Sequence, residues 1–271
     1  MAHINSERLR SARIKIQRAK DHIAYLRREK DAWTARKPYD IVHKMDRKRL
    51  KTIFKIKVSE EIPENFPAVI GDAVHNLRSA LDHLVWSLVL VNGETPDERT
   101  QFPINYSLDS LEKAIPRTLK GVSDKAISAI KQLQPYKGGY GKPGNEILWA
   151  LFDLDRIDKH RSIVLVGTVH TQTQLRFCVG NPLQKNFQWI GPPIIAANQT
   201  LSGPVKDGQT IAEITQSGLL PPEVNLHGSV TFSIRFGEGS AVAGEPIAEV
   251  LPVIGQHVQS IIDTFDQRFF G

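Results

Sequence analysis

At 271 residues, with 41% hydrophobic and 24% charged side chains, the chain is long enough for a sizeable core and too ordinary in composition for wholesale disorder. Its single cysteine, Cys178, excludes an intramolecular disulfide and a cysteine-based zinc knuckle. The net charge of +6 is concentrated between Arg8 and Lys57, a basic stretch that attracts phosphate-rich or acidic partners at long range and reads equally as solvated helix surface.

In chain order, "MAHINSERLRSARIKIQRAK" is charged throughout and lacks the apolar core of a signal peptide. Ser6 is placed to cap a helix running to about Trp33. Leu9, Ala12, Ile16, Ala19, Ile23, Leu26 and Trp33 recur at three and four, interrupted once at Lys30, which predicts a helix packed lengthwise on another. That partner helix is in the same chain or in a second copy. "KPYD" ends the helix, because proline restricts its predecessor and cannot donate a backbone bond.

Leu50, Thr52, Phe54, Ile56 and Val58 alternate with lysines, so an early strand is expected near residues 49–58. Pro67 suits a first helical turn, and the helix it opens continues to about Val91 before "NGETPDE". "HLVWSLVLV" inside it is too short to cross a bilayer. "SDKAISAIKQLQPY" reads as a capped helix ended by Pro135. "KGGYGKPG" is glycine-rich but lacks the GKS or GKT ending of a phosphate loop. "NEILWALFDLDRIDKHR" is helical, with Ile147, Leu148, Leu151, Leu154 and Ile157 on its buried side.

After Ser162 the period changes. "SIVLVGTVH", "TQLRFCVG", "NFQWIG", "QTIAEITQ" and "LHGSVTFSIRFGEG" are short β-rich runs separated by Gly, Pro and Asn. A last amphipathic helix presents Val250, Ile254, Val258, Ile261 and Phe265. The expected class is α+β. Residues 1–161 form a helical bundle with the early strand, and residues 162–271 an antiparallel β-rich half closed by the final helix. If the early strand joins the later sheet, the two halves are one interleaved unit.

The helix "GDAVHNLRSALDHLVW" carries the most chemistry. At about 100° per residue, Asp72, Asn76 and Ser79 fall within about 40° of His83, and His75, Asp82 and Trp86 extend the stripe to about 100°. Ile70, Val74, Leu77, Leu81, Leu84 and Leu88 take the opposite side. Such a stripe is either a solvent face, with Arg78 and Asp82 as an i,i+4 pair, or a site. Gly71 costs helix stability against alanine, which makes sense where another backbone or a ligand approaches, and reads equally as a neutral local choice. A second cluster, "DLDRIDKHR", offers Asp153, Asp155, Asp158, His160 and Arg161: either Lys159, His160 and Arg161 complement the negative end of a helix, or His160 and Arg161 join His83, with Asp158 orienting His160.

"RSALDH" resembles the R-x4-to-6-H motif of the HEPN superfamily, helical bundles that often dimerise and often act as metal-independent ribonucleases. The match is Arg78 and His83; the residue after the arginine, usually Asn, His or Asp in active members, is Ser79 here. More broadly, "GDAVHNLRSALDHLVW" with "LFDLDRIDKHRSIVLV" is similar to a family of uncharacterised bacterial proteins that carry both segments. The resemblance implies His83 as general acid or base, Arg78 holding the scissile phosphate, and the RNA 2′-hydroxyl attacking. Asp72, His75, Asn76, Ser79, Asp82, Asp158, His160 and Arg161 would support or bind substrate. Arg78 and His83 lie about 140° apart on the helix, so the expected site is shared across a homodimer. RNA is the expected partner, without cofactor or membrane, in the cytoplasm.

Two further classes stay open. Asp72, His75, Asp82 and His160 could ligate iron, manganese or zinc in a helical bundle, although Arg78 would repel the cation. A dimeric binding module without turnover fits the same residues.

Overall fold

The computed structural model describes residues 8–46, 51–135, 145–170, 176–179, 205–215, 224–227 and 231–271. Ser6, the glycine-rich turn at 137–144 and the expected strand at 186–191 lie outside them. The chain is mixed helix and strand, and it divides into two compact units. The first comprises residues 1–30, 63–165 and 236–271, and the second residues 31–62 and 166–235.

The first unit is helical. Helix α1 (Arg10–Ala35) enters it, followed by α2 (Phe66–Val91), α3 (Leu108–Thr118), α4 (Asp124–Gln132), α5 (Asn145–His160) and α6 (Ile247–Phe265), with a closing π turn at Asp266–Phe270. The seam of α1 meets its own chain. Leu9, Ala12, Ile16, Ala19 and Leu26 are buried. The Ser87 hydroxyl of α2 donates to the Arg8 carbonyl (2.8 Å), while Arg13 donates to Asp263 (2.9 Å) and Asp266 (2.7 Å) beside α6. Helix α2 is the centre of this core: Ile70, Val74, Leu77, Leu81 and Leu84 are fully buried. Helices α5 and α6 both pack on α2 and on each other. On α5, Leu148, Leu151, Leu154 and Ile157 are buried as the spacing predicts, but Ile147 is not fully covered.

The second unit is built on strands. β1 (Tyr39–Asp46) and β2 (Lys51–Val58) form an antiparallel hairpin in register Tyr39 to Val58, and β2 pairs on its other side with β5 (Thr210–Thr215). β4 (Arg176–Val179) pairs antiparallel with β6 (Val224–His227), and β3 (Leu165–His170) pairs with β7 (Thr231–Phe236). Phe54 and Ile56 of β2 are buried, as their alternation requires. Trp33, on the last turns of α1, is buried here as well: its indole N–H donates to the Glu61 carbonyl (3.0 Å), and its ring meets Tyr39 edge-on at 5.5 Å.

Three expectations are corrected. The early β segment is two strands, because Lys37 takes a left-handed turn (φ 53°) and Pro38 leads directly into β1. The final helix does not form part of a unit with the β-rich region; its apolar face is matched by α2 and α5, and it belongs to the helical unit. A cut at residue 161 therefore does not describe the division. The early hairpin takes β5 of the later strands into its sheet, while β3 with β7 and β4 with β6 form two separate pairs, so the halves of the sequence interleave.

Candidate functional site

Helix α2 packs on α5 and α6, and its polar face is divided between the side of α5 and the side where Lys15 of α1 acts on His83. On the α5 side, Arg78 is 8% exposed. Its Nη1 donates to Asp82 Oδ1 (2.6 Å) and its Nη2 to the carbonyl of Phe102 (2.7 Å). The amide of Phe102 donates back to the same Asp82 oxygen (2.8 Å). Burial raises the Asp82 pKa, and Asp155 adds to this, against the opposing pull of Arg78 and the Phe102 amide. The pair is thus a clamp on the extended segment 101–105. Gln134, fully buried, grips the same segment from α4's end: its Nε2 donates to the Pro103 carbonyl (2.8 Å), and its Oε1 accepts from the Asn105 amide (2.9 Å).

Further along, His75 Nδ1 lies 3.5 Å from Asp155 Oδ1, and its Nε2 lies 3.5 Å from the Ser79 hydroxyl. The order Asp–His–Ser is that of a nucleophile relay, but both spacings are at the limit of a hydrogen bond. The amides around Ser79 are consumed by the helix ladder, which leaves no donors there for an oxyanion. Asp155 is buried and also accepts from Lys159 (2.6 Å). We read this group as the polar seam joining α2 to α5.

Asp158 explains Gly71. A Cβ at residue 71 would collide with the Asp158 carboxyl, which lies directly over the helix backbone. The approaching group is a side chain of the same core, not a ligand. Burial raises the Asp158 pKa from 3.8, and the charges of Asp155 and Asp72 raise it further, while His75 and Lys159 oppose them. The folded chain therefore holds this proton more tightly than the unfolded chain. The stabilisation linked to Asp158 is greatest at low pH and is lost as pH rises from the unfolded pKa through the folded one. Asp158→Asn is expected to stabilise the protein at neutral pH, the advantage vanishing below about pH 4. Equal denaturant midpoints for the two proteins at neutral pH would contradict this.

The remaining members scatter. Asn76 donates to the Asp72 carbonyl (2.8 Å) one turn back, and Asp72 is exposed. His160 is exposed, and Arg161 turns to the Gly239 carbonyl (3.1 Å). Neither joins His83, on which the acting charges are Lys15 and Asp82. The metal alternative fails on geometry: among the described residues no three His, Cys, Asp or Glu side chains gather in a way that could hold an ion. Asp72, His75, Asp82 and His160 do not form a ligand set.

His83 faces α1. It is half-buried, and burial followed by the charge of Lys15 lowers its pKa below 6.5, so the imidazole is neutral at neutral pH. Arg8, Arg10 and Arg18 are exposed along the same helix as Lys15 or just before it. Trp86 and Leu90, one and two turns on from His83, are 46% and 55% exposed. The open strip of α2 is therefore a neutral imidazole beside a basic helix, continued by exposed apolar side chains. The sequence marks Lys159 only as a charge at a helix end, not as a partner of Asp155, and does not mark Gln134. The only hint of Gln134 is a glutamine set just before the proline that ends its helix.

No family model, curated protein or solved structure matches the chain. No helix among the described residues is long and apolar enough to cross a membrane.

Proposed function

We propose that the chain is a HEPN-like RNA-binding protein of the cytoplasm, with the helices of the first unit as its bundle and the strip of α2 around His83 as its contact surface. The observation that carries this reading is the seat of His83 beside Lys15 on a helix rich in exposed arginine. A lysine ammonium and flanking guanidinium groups neutralise phosphates wherever the backbone runs, without reading bases. A neutral imidazole next to them accepts hydrogen bonds, including from a ribose 2′-hydroxyl. Arg78 is not the phosphate ligand of this reading, since it is buried and its Nη1 and Nη2 already donate to Asp82 and Phe102. Binding without turnover is accordingly favoured over cleavage across a shared site. Trp86 and Leu90 on the same strip support a homodimer, because a second copy meeting there would remove both from water.

The test uses the full chain with single-stranded RNA in EDTA. Expected are binding that weakens steeply with salt, intact RNA, and a dimer by sedimentation. Lys15→Glu with Arg18→Glu is expected to weaken binding at least about tenfold and to reduce the salt slope by about 2. Salt-independent or absent RNA binding would overturn the proposal. Cyclic-phosphate products that disappear in His83→Ala would replace it with the nuclease form.

A further inference from the structure

A second surface of the helical unit has a different chemistry. Between α5, α6 and the turn preceding α6 lies a cleft of about 600 Å³, within the range of small-molecule sites. Its walls are mostly apolar. Tyr106 and Trp149 meet edge-on at 4.7 Å, and Val250 and Val253 of α6 lie opposite. Tyr106 and Val253 are 43% and 45% exposed, so two of the large apolar side chains left uncovered by the fold belong to this cleft. That also accounts for Ile147, which the helical period assigns to the core but which lines the cleft instead.

Among the described residues, the charged lining has one sign. Glu245 and Glu249 are exposed on the α6 side and Glu146 stands at the start of α5, and no Lys, Arg or His is among the described residues that line the cleft. Phosphate and carboxylate ligands are repelled, which separates this cleft from any RNA-contacting surface. Aromatic faces carry negative quadrupole density, and a cation over them is attracted most strongly when water is excluded. Apolar walls suit methyl or methylene groups around the charge, and the carboxylates supply long-range attraction.

We propose that this cleft binds a small organic cation, an alkyl- or aryl-substituted ammonium, with the charge against Tyr106 and Trp149 and within the field of Glu245 and Glu249. The proposal is independent of RNA binding.

Calorimetric titration of the full chain with benzyltrimethylammonium tests it, alongside the uncharged analogue neopentylbenzene and the anion benzoate. The cation is expected to bind, the neutral analogue at least about tenfold more weakly, and benzoate not at all; about 1.4 kcal/mol corresponds to that factor. Glu245→Gln with Glu249→Gln should weaken the cation several-fold while leaving the fold intact, since both side chains are exposed. Trp149→Ala should abolish binding, and Tyr106→Leu, which keeps bulk but removes the ring, guards against loss of structure at Trp149. Equal affinity for cation and neutral analogue, no binding of the cation, or binding unchanged in both aromatic variants would each overturn the proposal.

Discussion

Arg78→Ala is expected to lower the unfolding free energy by about 3 kcal/mol while leaving RNA affinity per folded molecule unchanged. The side chain bridges a carboxylate and a backbone carbonyl inside the helical unit, at 2.6 and 2.7 Å. Removing it leaves the Phe102 carbonyl without its donor and the half-buried Asp82 carboxylate with the Phe102 amide but no counter-charge, which is the costly half of breaking such a pair. Asp82 compounds the loss. Burial already raises its pKa, so without the guanidinium its protonation extends to higher pH. Arg78→Lys should recover little, because a single ammonium cannot serve two acceptors in the geometry of a planar fork. Chemical denaturation with a parallel RNA titration decides the matter. A variant as stable as the parent but unable to engage RNA would return Arg78 to the role that the R-x4-H resemblance implies.

Gln134→Ala is expected to cost about 2–4 kcal/mol by the same measurement. One buried amide serves three backbone groups: it donates to Pro103 and, one turn back in its own helix region, to Ile130 (3.2 Å), and it accepts from Asn105. Its carboxamide is fully enclosed, so the backbone groups it leaves behind have no compensating water. Gln134→Glu is a sharper probe, since it preserves shape and acceptor but removes the donor to Pro103. The Arg78 and Gln134 variants should not be additive. Both secure the segment 101–105, and once it detaches at Phe102 the contacts at Pro103 and Asn105 are already weakened. Strict additivity of the double variant would show that the two clamps act separately.

These two residues alter the meaning of the polar face on α2. An arginine, an aspartate and two histidines on one helix stripe look like a catalytic set when only the helix is considered. In the folded protein they have separate tasks. Arg78 and Asp82 hold a segment, His75 meets α5 through Asp155, and His83 is left beside α1. Asp158 lies against Gly71 and gives that glycine a structural reason.

Local pattern determined a good deal. The three-and-four spacing of Leu9, Ala12, Ile16 and Ala19, and of Ile70, Val74, Leu77 and Leu81, identifies the buried faces of α1 and α2, because an α-helix repeats its geometry whatever it packs on. The alternation of Phe54 and Ile56 did the same for β2. The glycine at 71 is compatible with a close approach or with a neutral local choice, and only the position of the Asp158 carboxyl decides between them. Tertiary structure alone decided the rest. The hairpin partner β1, the return of α6 to the helical unit and the pairing of β2 with β5 depend on residues far apart in the chain, and no periodicity encodes which apolar face meets which. Whether a polar side chain is a clamp or a ligand depends on what stands opposite it. For Arg78 that was a single carbonyl, Phe102, whose identity as a backbone acceptor leaves no mark on the sequence.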